Sequence, residues 1–177
     1  MEGARRGAGG PADKTMSDPQ KVYDALDAMG IRYEKYEHPP VFTGEEAAEH
    51  WGPIKATQVK NLFLRNKKGN RQYLVILEIS KQADLRELVK TIGDDRFTFG
   101  SPERLMGTFG VTPGSVSPFG LLHAGSTDVR VIVDQELRSA EKLIFHPNLN
   151  THSVTISVAD FERFLATRPN VIKWMKL

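Results

Sequence analysis

The chain has 177 residues, of which 40% are hydrophobic and 26% charged, and this size and composition are typical of one globular domain. Because it has no cysteine, disulfides, thiolate catalysis and cysteine-based metal sites are excluded, which fits a cytoplasmic protein. No apolar run approaches the ~20 residues needed to span a bilayer. The net charge of +2 does not by itself indicate a nucleic-acid partner.

Residues 1–16 are rich in Gly, Ala and Arg but have no apolar segment of the kind found in a secretory signal. They predict a disordered extension, either native or introduced by cloning, with Met16 as a candidate natural start. Residues 17–177 are predicted to form one domain.

Helical periodicity and capping signals predict helices at about 17–29, 44–51, 83–92, 101–110 and 157–168. Ser17 is the expected cap of the first helix, and Thr43 with Glu46 forms a capping box for the second. Strands are predicted at 31–38, 56–65, 71–79, 96–100 and 128–134, and on both sides of a loop within 142–157. This mixture predicts an α+β fold, a single domain with a mixed sheet.

The strand at 56–65 begins with two adjacent polar residues, Lys60 and Asn61, before its apolar end. Since strand side chains alternate between faces, they belong to different faces, Lys60 with Leu62 and Asn61 with Phe63. They are candidates for a site where the strand meets a pocket. The alternative for Lys60 is a side chain that only extends its ammonium into water.

The hairpin that follows is locally basic, because residues 55–77 contain six Lys or Arg and no Asp or Glu. A stripe of this kind can attract phosphates, or it can keep an edge strand soluble, and the residues favour neither interpretation. The four members near the turn are Arg65, Lys67, Lys68 and Arg71.

Two further segments have unusual local requirements. In the loop at 114–120, glycines allow close approach of a ligand, prolines fix the shape, and free N–H groups could bind an oxyanion. His146 follows an apolar strand and precedes a proline, a suitable position for a pocket wall. Taken singly, a plain turn and a hydrogen-bonded core histidine explain these features better. Taken together with Lys60 and Asn61, they describe a small apolar pocket with a few polar groups.

Several common chemistries are not indicated. The five histidines do not show the spacing that places two imidazoles on one helical face, so no metal site is expected. The serines at 115 and 117 are not in a nucleophile elbow, and no phosphate-binding glycine motif is present. No cofactor is expected.

Several segments resemble the YbaK/prolyl-tRNA-editing family, free-standing relatives of an insertion domain of bacterial prolyl-tRNA synthetases. They are HPPVFT, VKNLFLRNKKG, SPERLMGTFGV, PGSVSPFGLL and FHPNLNTHSVTIS, in this order, and the resemblance runs from about residue 22 to residue 176. It implies a curved mixed β-sheet packed with helices (YbaK-like). It also implies an aminoacyl-tRNA deacylase that acts in trans, most like the members that remove alanine from the tRNA for proline. Other members prefer cysteine, serine or threonine, and a non-catalytic aminoacyl-tRNA-binding module is a further alternative.

The resemblance suggests a role for each candidate residue. Lys60, Asn61, Gly114 and Gly120 are the predicted catalytic residues, and the ester carbonyl is expected to face the loop. Because a lysine is protonated at neutral pH, Lys60 is expected to engage the terminal ribose or phosphate and not to act as a general base. The predicted substrate-binding residues are His146, Ser115, Val116, Ser117, Pro118 and Phe119. The predicted tRNA contacts are Arg65, Lys67, Lys68 and Arg71. The expected partners are proline tRNA and, as a candidate, prolyl-tRNA synthetase, with no DNA and no membrane.

Overall fold

A computed structural model describes residues 18–177. The predicted extension at 1–16 and the predicted cap Ser17 lie outside the described residues. The α-helices are α1 (Pro19–Ala28), α2 (Gly44–Trp51), α3 (Leu85–Ile92), α4 (Pro102–Phe109) and α5 (Val158–Ala166). Three short 3₁₀ helices span Pro118–Leu122, Ala124–Ser126 and Gln135–Ser139. No helix among the described residues is long and apolar enough to cross a membrane.

The described strands form one mixed sheet, in the order β1-β7-β6-β2-β3-β5-β8, with β4 also paired to β2. Their bounds are β1 (Glu34–Glu37), β2 (Thr57–Asn66), β3 (Gln72–Glu78), β4 (Phe97–Phe99), β5 (Arg130–Asp134), β6 (Lys142–Phe145), β7 (His152–Ser157) and β8 (Ile172–Met175). Pairs β2–β6, β3–β5 and β5–β8 are parallel, and the others are antiparallel. The predicted α+β single domain with a mixed sheet is confirmed.

Strand β2 changes its partner along one edge, and this change creates the site. On one side it pairs with β3 from Val59 to Arg65. On the other side it pairs with β6 at Thr57 and Gln58, and with β4 from Leu64 onward. Between these two pairings, residues 59–63 have no strand neighbour on that side within the described part of the chain. A sheet edge that is not paired leaves room for other groups to approach.

The alternation predicted for β2 is confirmed by the packing on its two faces. Val59 and Phe63 belong to the main core, which also holds the inner faces of α1, α4 and α5. Leu64 belongs to a second core under α3, with Leu62 packed against it. Strand β3 is buried from Tyr73 to Leu77, as expected of a strand covered on both faces.

Local capping signals fixed most helix starts. Thr43 Oγ1 accepts the N–H of Glu46 at 3.1 Å, as the capping box requires. The Glu46 carboxylate accepts the N–H of Phe42 at 2.9 Å, one residue earlier than the usual partner. In α1 the cap is Asp18, whose side chain accepts the N–H of Gln20. The bond from the N–H of Phe42 to Glu46 fixes the backbone before α2, and α2 forms one wall of a cleft.

Candidate active site

A cleft of about 870 Å³ opens at the unpaired edge of β2. Five of the residues singled out in the sequence line it, namely Lys60, Asn61, Gly114, Val116 and His146. These residues come from β2, from the loop after α4 and from the end of β6, so only the tertiary fold brings them together. Helix α2 and the segment before it supply most of the remaining lining.

Lys60 and Asn61 enter the cleft although they alternate on the strand, because the cleft lies at the strand edge and not over one face. The lining contains the cation of Lys60 and the carboxylate of Glu45. Within residues 18–177, the buried Oδ1 atom of Asn61 has no hydrogen-bond partner. A buried oxygen without a donor costs free energy. Of the four such side-chain atoms in residues 18–177, on Tyr23, Asn61, Thr98 and Asn170, only that of Asn61 belongs to a residue that lines the cleft.

Gly114 holds the loop against the segment before α2. Its φ is +89°, a value that side chains disfavour, and an added Cβ would lie 3.2 Å from the carbonyl oxygen of Val41. Glycine is therefore required for this close approach. Among residues 18–177, no hydrogen bond occupies the N–H groups of Gly114 and Val116, and both residues line the cleft. These two groups are available as donors.

The rest of the predicted loop does not line the cleft. Ser115, Ser117, Pro118, Phe119 and Gly120 are all buried. The N–H groups of Ser115, Phe119 and Gly120 donate to Thr112 O, Ser117 Oγ and Ser117 O.

The buried part of the loop is therefore a support. The Ser117 hydroxyl also bonds Asn148 Oδ1 at 3.0 Å. Phe119 packs edge-on against Phe145 and Phe164, and an added Cβ on Gly120 would overlap the ring of Phe109. In this structure the five residues shape the loop, and Gly114 and Val116 are its members that line the cleft.

His146 forms part of the cleft wall as a neutral imidazole. Its Nδ1 donates to the carbonyl oxygen of His152 at 2.8 Å, which leaves the lone pair on Nε2. Burial lowers the pKa of His146 to about 4, although the bond to His152 opposes this shift, and the nearby His38 lowers the pKa further. At neutral pH the wall therefore presents an uncharged acceptor.

The chain matches the model of the aminoacyl-tRNA editing domain over residues 38–164, which include the whole cleft. The chain belongs to this editing family. It is 36% identical to the prolyl-tRNA editing protein ProX of Acetoanaerobium sticklandii, over 92% of this chain and 99% of that protein. It is also 33% identical to the prolyl-tRNA synthetase associated domain-containing protein 1 of Bos taurus, over 79% of this chain and 84% of that protein.

Solved structures agree on the fold. The crystal structure of a candidate trans-editing enzyme for prolyl-tRNA synthetase superposes with a TM-score of 0.67. The superposition covers 94% of this chain and 98% of the other chain, and the two sequences are 21% identical. The predicted family and fold are thus confirmed, and the editing family confirms the predicted class of enzyme, an aminoacyl-tRNA deacylase.

Sequence reasoning missed three residues that build or support the wall of this cleft, namely Trp51, Ser153 and His38. Trp51 of α2 lines the cleft with its ring centroid 5.1 Å from that of His146. Its Nε1–H donates to Ser153 Oγ at 2.7 Å, and Ser153 Oγ is 2.7 Å from His38 Nε2. His38 Nδ1 bonds the carbonyl oxygen of Pro39 at 2.9 Å, which makes its Nε2 the acceptor for the serine hydroxyl. This chain of bonds fixes the Trp51 ring.

The sequence offered a weak signal for this network. His38 lies in the HPPVFT segment that carried the family resemblance, but nothing local indicates that it meets Ser153, 115 residues later. Trp51 was visible as an apolar residue at the end of a short helix, a position that usually indicates core packing.

The basic hairpin lies at the opposite end of β2 from Lys60, and two acidic residues, Asp94 and Asp95, lie beside it. Arg71 is 3.7 Å from the carboxylate of Asp94, and the N–H of Lys67 donates to Asp95 at 2.7 Å. Arg65 bonds the carbonyl oxygens of Asn66 and Lys67. Lys68 lines a shallow groove between the turn and Asp94. The predicted tRNA contacts are therefore grouped at the turn, and their role stays a prediction.

Proposed function

We propose that the protein hydrolyses the ester of alanine wrongly attached to the tRNA for proline and leaves prolyl-tRNA intact. The observation that carries this proposal is the cleft, which holds a cation, an unpartnered amide oxygen and two free N–H groups beside an apolar wall. The relation to ProX supports the choice of tRNA. Removal of cysteine, serine or threonine is the alternative within the same chemistry.

The chemistry requires few groups, because an aminoacyl ester is already activated. The protein must position a water molecule and stabilise negative charge on the carbonyl oxygen as the water attacks. We assign the N–H groups of Gly114 and Val116 to this oxygen. We assign Lys60 to the ribose or phosphate of the terminal nucleotide, where its charge also favours the developing oxyanion. The neighbouring ribose hydroxyl of the substrate can assist the water.

Asn61 suits the amino group of the substrate. The ammonium of an aminoacyl ester has three donors, and the buried Asn61 Oδ1 has room for one. A bond between them would fix the ester relative to the loop. The same oxygen could instead orient the attacking water, and both assignments make Asn61 necessary for turnover.

Selectivity against proline is assigned to the rigid wall. One methylene group more or less changes the binding free energy of a side chain in an apolar pocket by only ~1–3 kcal/mol. A pocket that admits alanine must therefore exclude proline by shape. Trp51 and His146 are both held by hydrogen bonds and cannot easily move apart to admit a larger side chain. An enlarged wall, as in Trp51→Ala, should admit prolyl-tRNA.

Prolyl-tRNA synthetase is the candidate partner, and the support is that the name of a bovine relative includes a prolyl-tRNA synthetase associated domain. We assign Arg65, Lys67, Lys68 and Arg71 to phosphates of the acceptor stem, in a contact that does not read sequence.

The test is deacylation of alanyl-tRNA for proline by the purified protein, with prolyl-, cysteinyl- and seryl-tRNA as parallel substrates. Turnover of the alanyl ester with prolyl-tRNA spared supports the proposal. Preferred turnover of the cysteinyl or seryl ester would identify that amino acid, and not alanine, as the one removed. Binding of all four without turnover would show an aminoacyl-tRNA-binding module and overturn the enzyme mechanism.

A further inference from the structure

Two exposed aromatic rings stand at the rim of the cleft. Among residues 18–177, three large apolar side chains are exposed over more than half of their surface: Phe42 at 67%, Phe99 at 65% and Val171 at 58%. Single exposed apolar residues are common on protein surfaces. Here, however, both phenylalanines line the same cleft as Lys60, while Val171 does not.

The backbone beneath each ring is fixed. The N–H of Phe42 is bonded to Glu46, and Gly114 lies against its Cα, where an added Cβ would be 3.3 Å away. Phe99 ends β4, paired with Leu64 of β2. The next residue, Gly100, donates its N–H to Phe63 O at 3.0 Å. The rings are thus displayed on rigid segments, which lowers the entropic cost of binding through them.

The surroundings indicate what covers the rings. A protein partner or a lipid would favour a continuous apolar surface, but Lys60, Asn61 and Glu45 interrupt this one. Aromatic faces next to a cation are the combination that binds single-stranded nucleic acid, because bases stack on the rings and the cation meets the phosphates. The 3′ end of a tRNA is unpaired, so its bases are free to stack.

We propose that Phe42 and Phe99 are stacking platforms for the unpaired bases at the 3′ end of the tRNA. This inference rests on the proposed function, which brings that end into the cleft. Stacking is indifferent to base identity, so the two rings hold any tRNA end and leave discrimination to the amino-acid pocket and the acceptor stem. They act as substrate-binding residues that position the ester before Lys60 and the Gly114 loop.

A double-mutant cycle that combines protein variants with altered RNAs isolates the contact between the two rings and the bases. The proteins are the wild type, Phe42→Ala/Phe99→Ala, and the control Val171→Ala. The RNAs are an acceptor-stem hairpin with its natural CCA end and the same hairpin with abasic sugars at those three positions. Dissociation constants are measured by fluorescence anisotropy at fixed salt, since phosphate contacts depend on salt.

We expect the double variant to bind the natural hairpin at least about tenfold more weakly than the wild type does. Loss of the bases should weaken wild-type binding by a similar factor but change the double variant by less than about twofold, because partners in contact are not additive. Val171→Ala should behave as the wild type. If the two losses multiply, the rings and the bases do not touch and the inference is overturned.

Leucine variants separate stacking from plain apolar contact. Phe42→Leu/Phe99→Leu keeps apolar bulk but has no ring face, so it should bind as weakly as the alanine variant. Full affinity in the leucine variant would overturn stacking. Self-association of the wild type that the alanine variant lacks, with unchanged RNA binding, would assign the rings to a second copy of the chain instead.

Kinetics on charged tRNA distinguish failure of this inference from failure of the proposed function. The double variant should raise KM for alanyl-tRNA about tenfold or more with a smaller effect on kcat. If the wild type hydrolyses no aminoacyl-tRNA, the proposed function fails, while the binding cycle still decides the stacking inference. If the wild type is active and the double variant has the same KM, the stacking inference alone fails.

Discussion

The two ends of strand β2 differ in how their polar groups are satisfied. At the cleft, the Oδ1 of Asn61 has no partner within the described residues. At the hairpin, five residues along the same strand, Asn66 donates to Asn70 and Asp94 and accepts the N–H of Arg71. In the sequence, Lys60 and Asn61 indicated a candidate pocket at one end of this strand, and the basic residues indicated a candidate phosphate contact at the other. Of the two asparagines, only Asn61 therefore has a buried side-chain oxygen without a donor among residues 18–177.

The largest expected effect is at the cleft end. Lys60→Ala should lower kcat/KM for alanyl-tRNA by about 100-fold or more, because it removes the cation that we assign to the terminal nucleotide and the developing charge. The free energy of unfolding should change by less than about 0.5 kcal/mol, since the half-exposed side chain has no ion-pair partner among the described residues.

Single-turnover deacylation and urea denaturation measure the two effects of Lys60→Ala. Lys90→Ala is the matched control, because it removes an exposed lysine on α3. Equal losses of activity in both variants would show that net charge, and not the cleft, is responsible.

The cleft wall should make stability depend on pH. The pKa of His146 is lowered to about 4 in the fold, whereas an unfolded histidine titrates near 6.5. Between these values the unfolded chain binds more protons, so stability is full above about 6.5 and falls as the pH drops towards 4. Acidification from above pH 6.5 to below pH 4 should therefore lower the free energy of unfolding by about 3 kcal/mol through His146 alone.

Denaturation of the wild type and of His146→Gln at pH 7 and pH 4.5 measures this contribution. The variant should lose less stability on acidification than the wild type does. A variant of His146 with the full wild-type acid sensitivity would contradict the buried neutral imidazole.

The two asparagines of β2 provide the most direct test of the comparison. Asn66→Ala should destabilise the protein by about 2–3 kcal/mol, because it leaves the partners of a buried side chain unpaired, and the folded variant should remain active. Asn61→Ala should cost little or no stability, because it removes an oxygen without a partner, yet it should reduce kcat/KM about tenfold. Thermal melts and deacylation assays on both variants decide the matter. The opposite pattern would assign Asn61 to the fold and Asn66 to the substrate.

The smallest effect is expected at the hairpin. Lys67→Ala/Lys68→Ala should weaken tRNA binding a few-fold, equally for all tRNA sequences, and should reduce the dependence of log Kd on log salt by up to about 2. Titrations at several salt concentrations measure both values. An unchanged salt dependence would mean that the hairpin lysines do not touch the RNA.

Much of the fold could be predicted because its signals are local. The Thr43–Glu46 pattern specified the start of α2, and the apolar run at 73–77 indicated a strand buried on both faces. The hairpin of β2 and β3 followed from two strand patterns around a glycine turn. Such signals depend on residues that are close in the sequence, so they can be recognised without knowledge of the tertiary structure.

The candidate site was predictable in part, and the division has a physical cause. Lys60, Asn61, Gly114 and His146 were conspicuous because polar or glycine residues interrupt apolar segments. Trp51 and Ser153 were not, because each looks like an ordinary core or strand residue until the fold places one against the other. The loop at 114–120 was predicted as one unit, yet its second half turns inward as a 3₁₀ helix that begins at Pro118.

The sequence by itself determined most of the helices and strands, the editing family and five of the residues that line the cleft. The tertiary structure decided where the pocket lies, because the exchange of β6 for β4 beside β2 depends on pairings between segments more than thirty residues apart. It also decided which residues of the loop line the cleft and which rings stand at its rim. Burial and hydrogen-bond satisfaction are properties of assembled segments, so no local pattern can specify them.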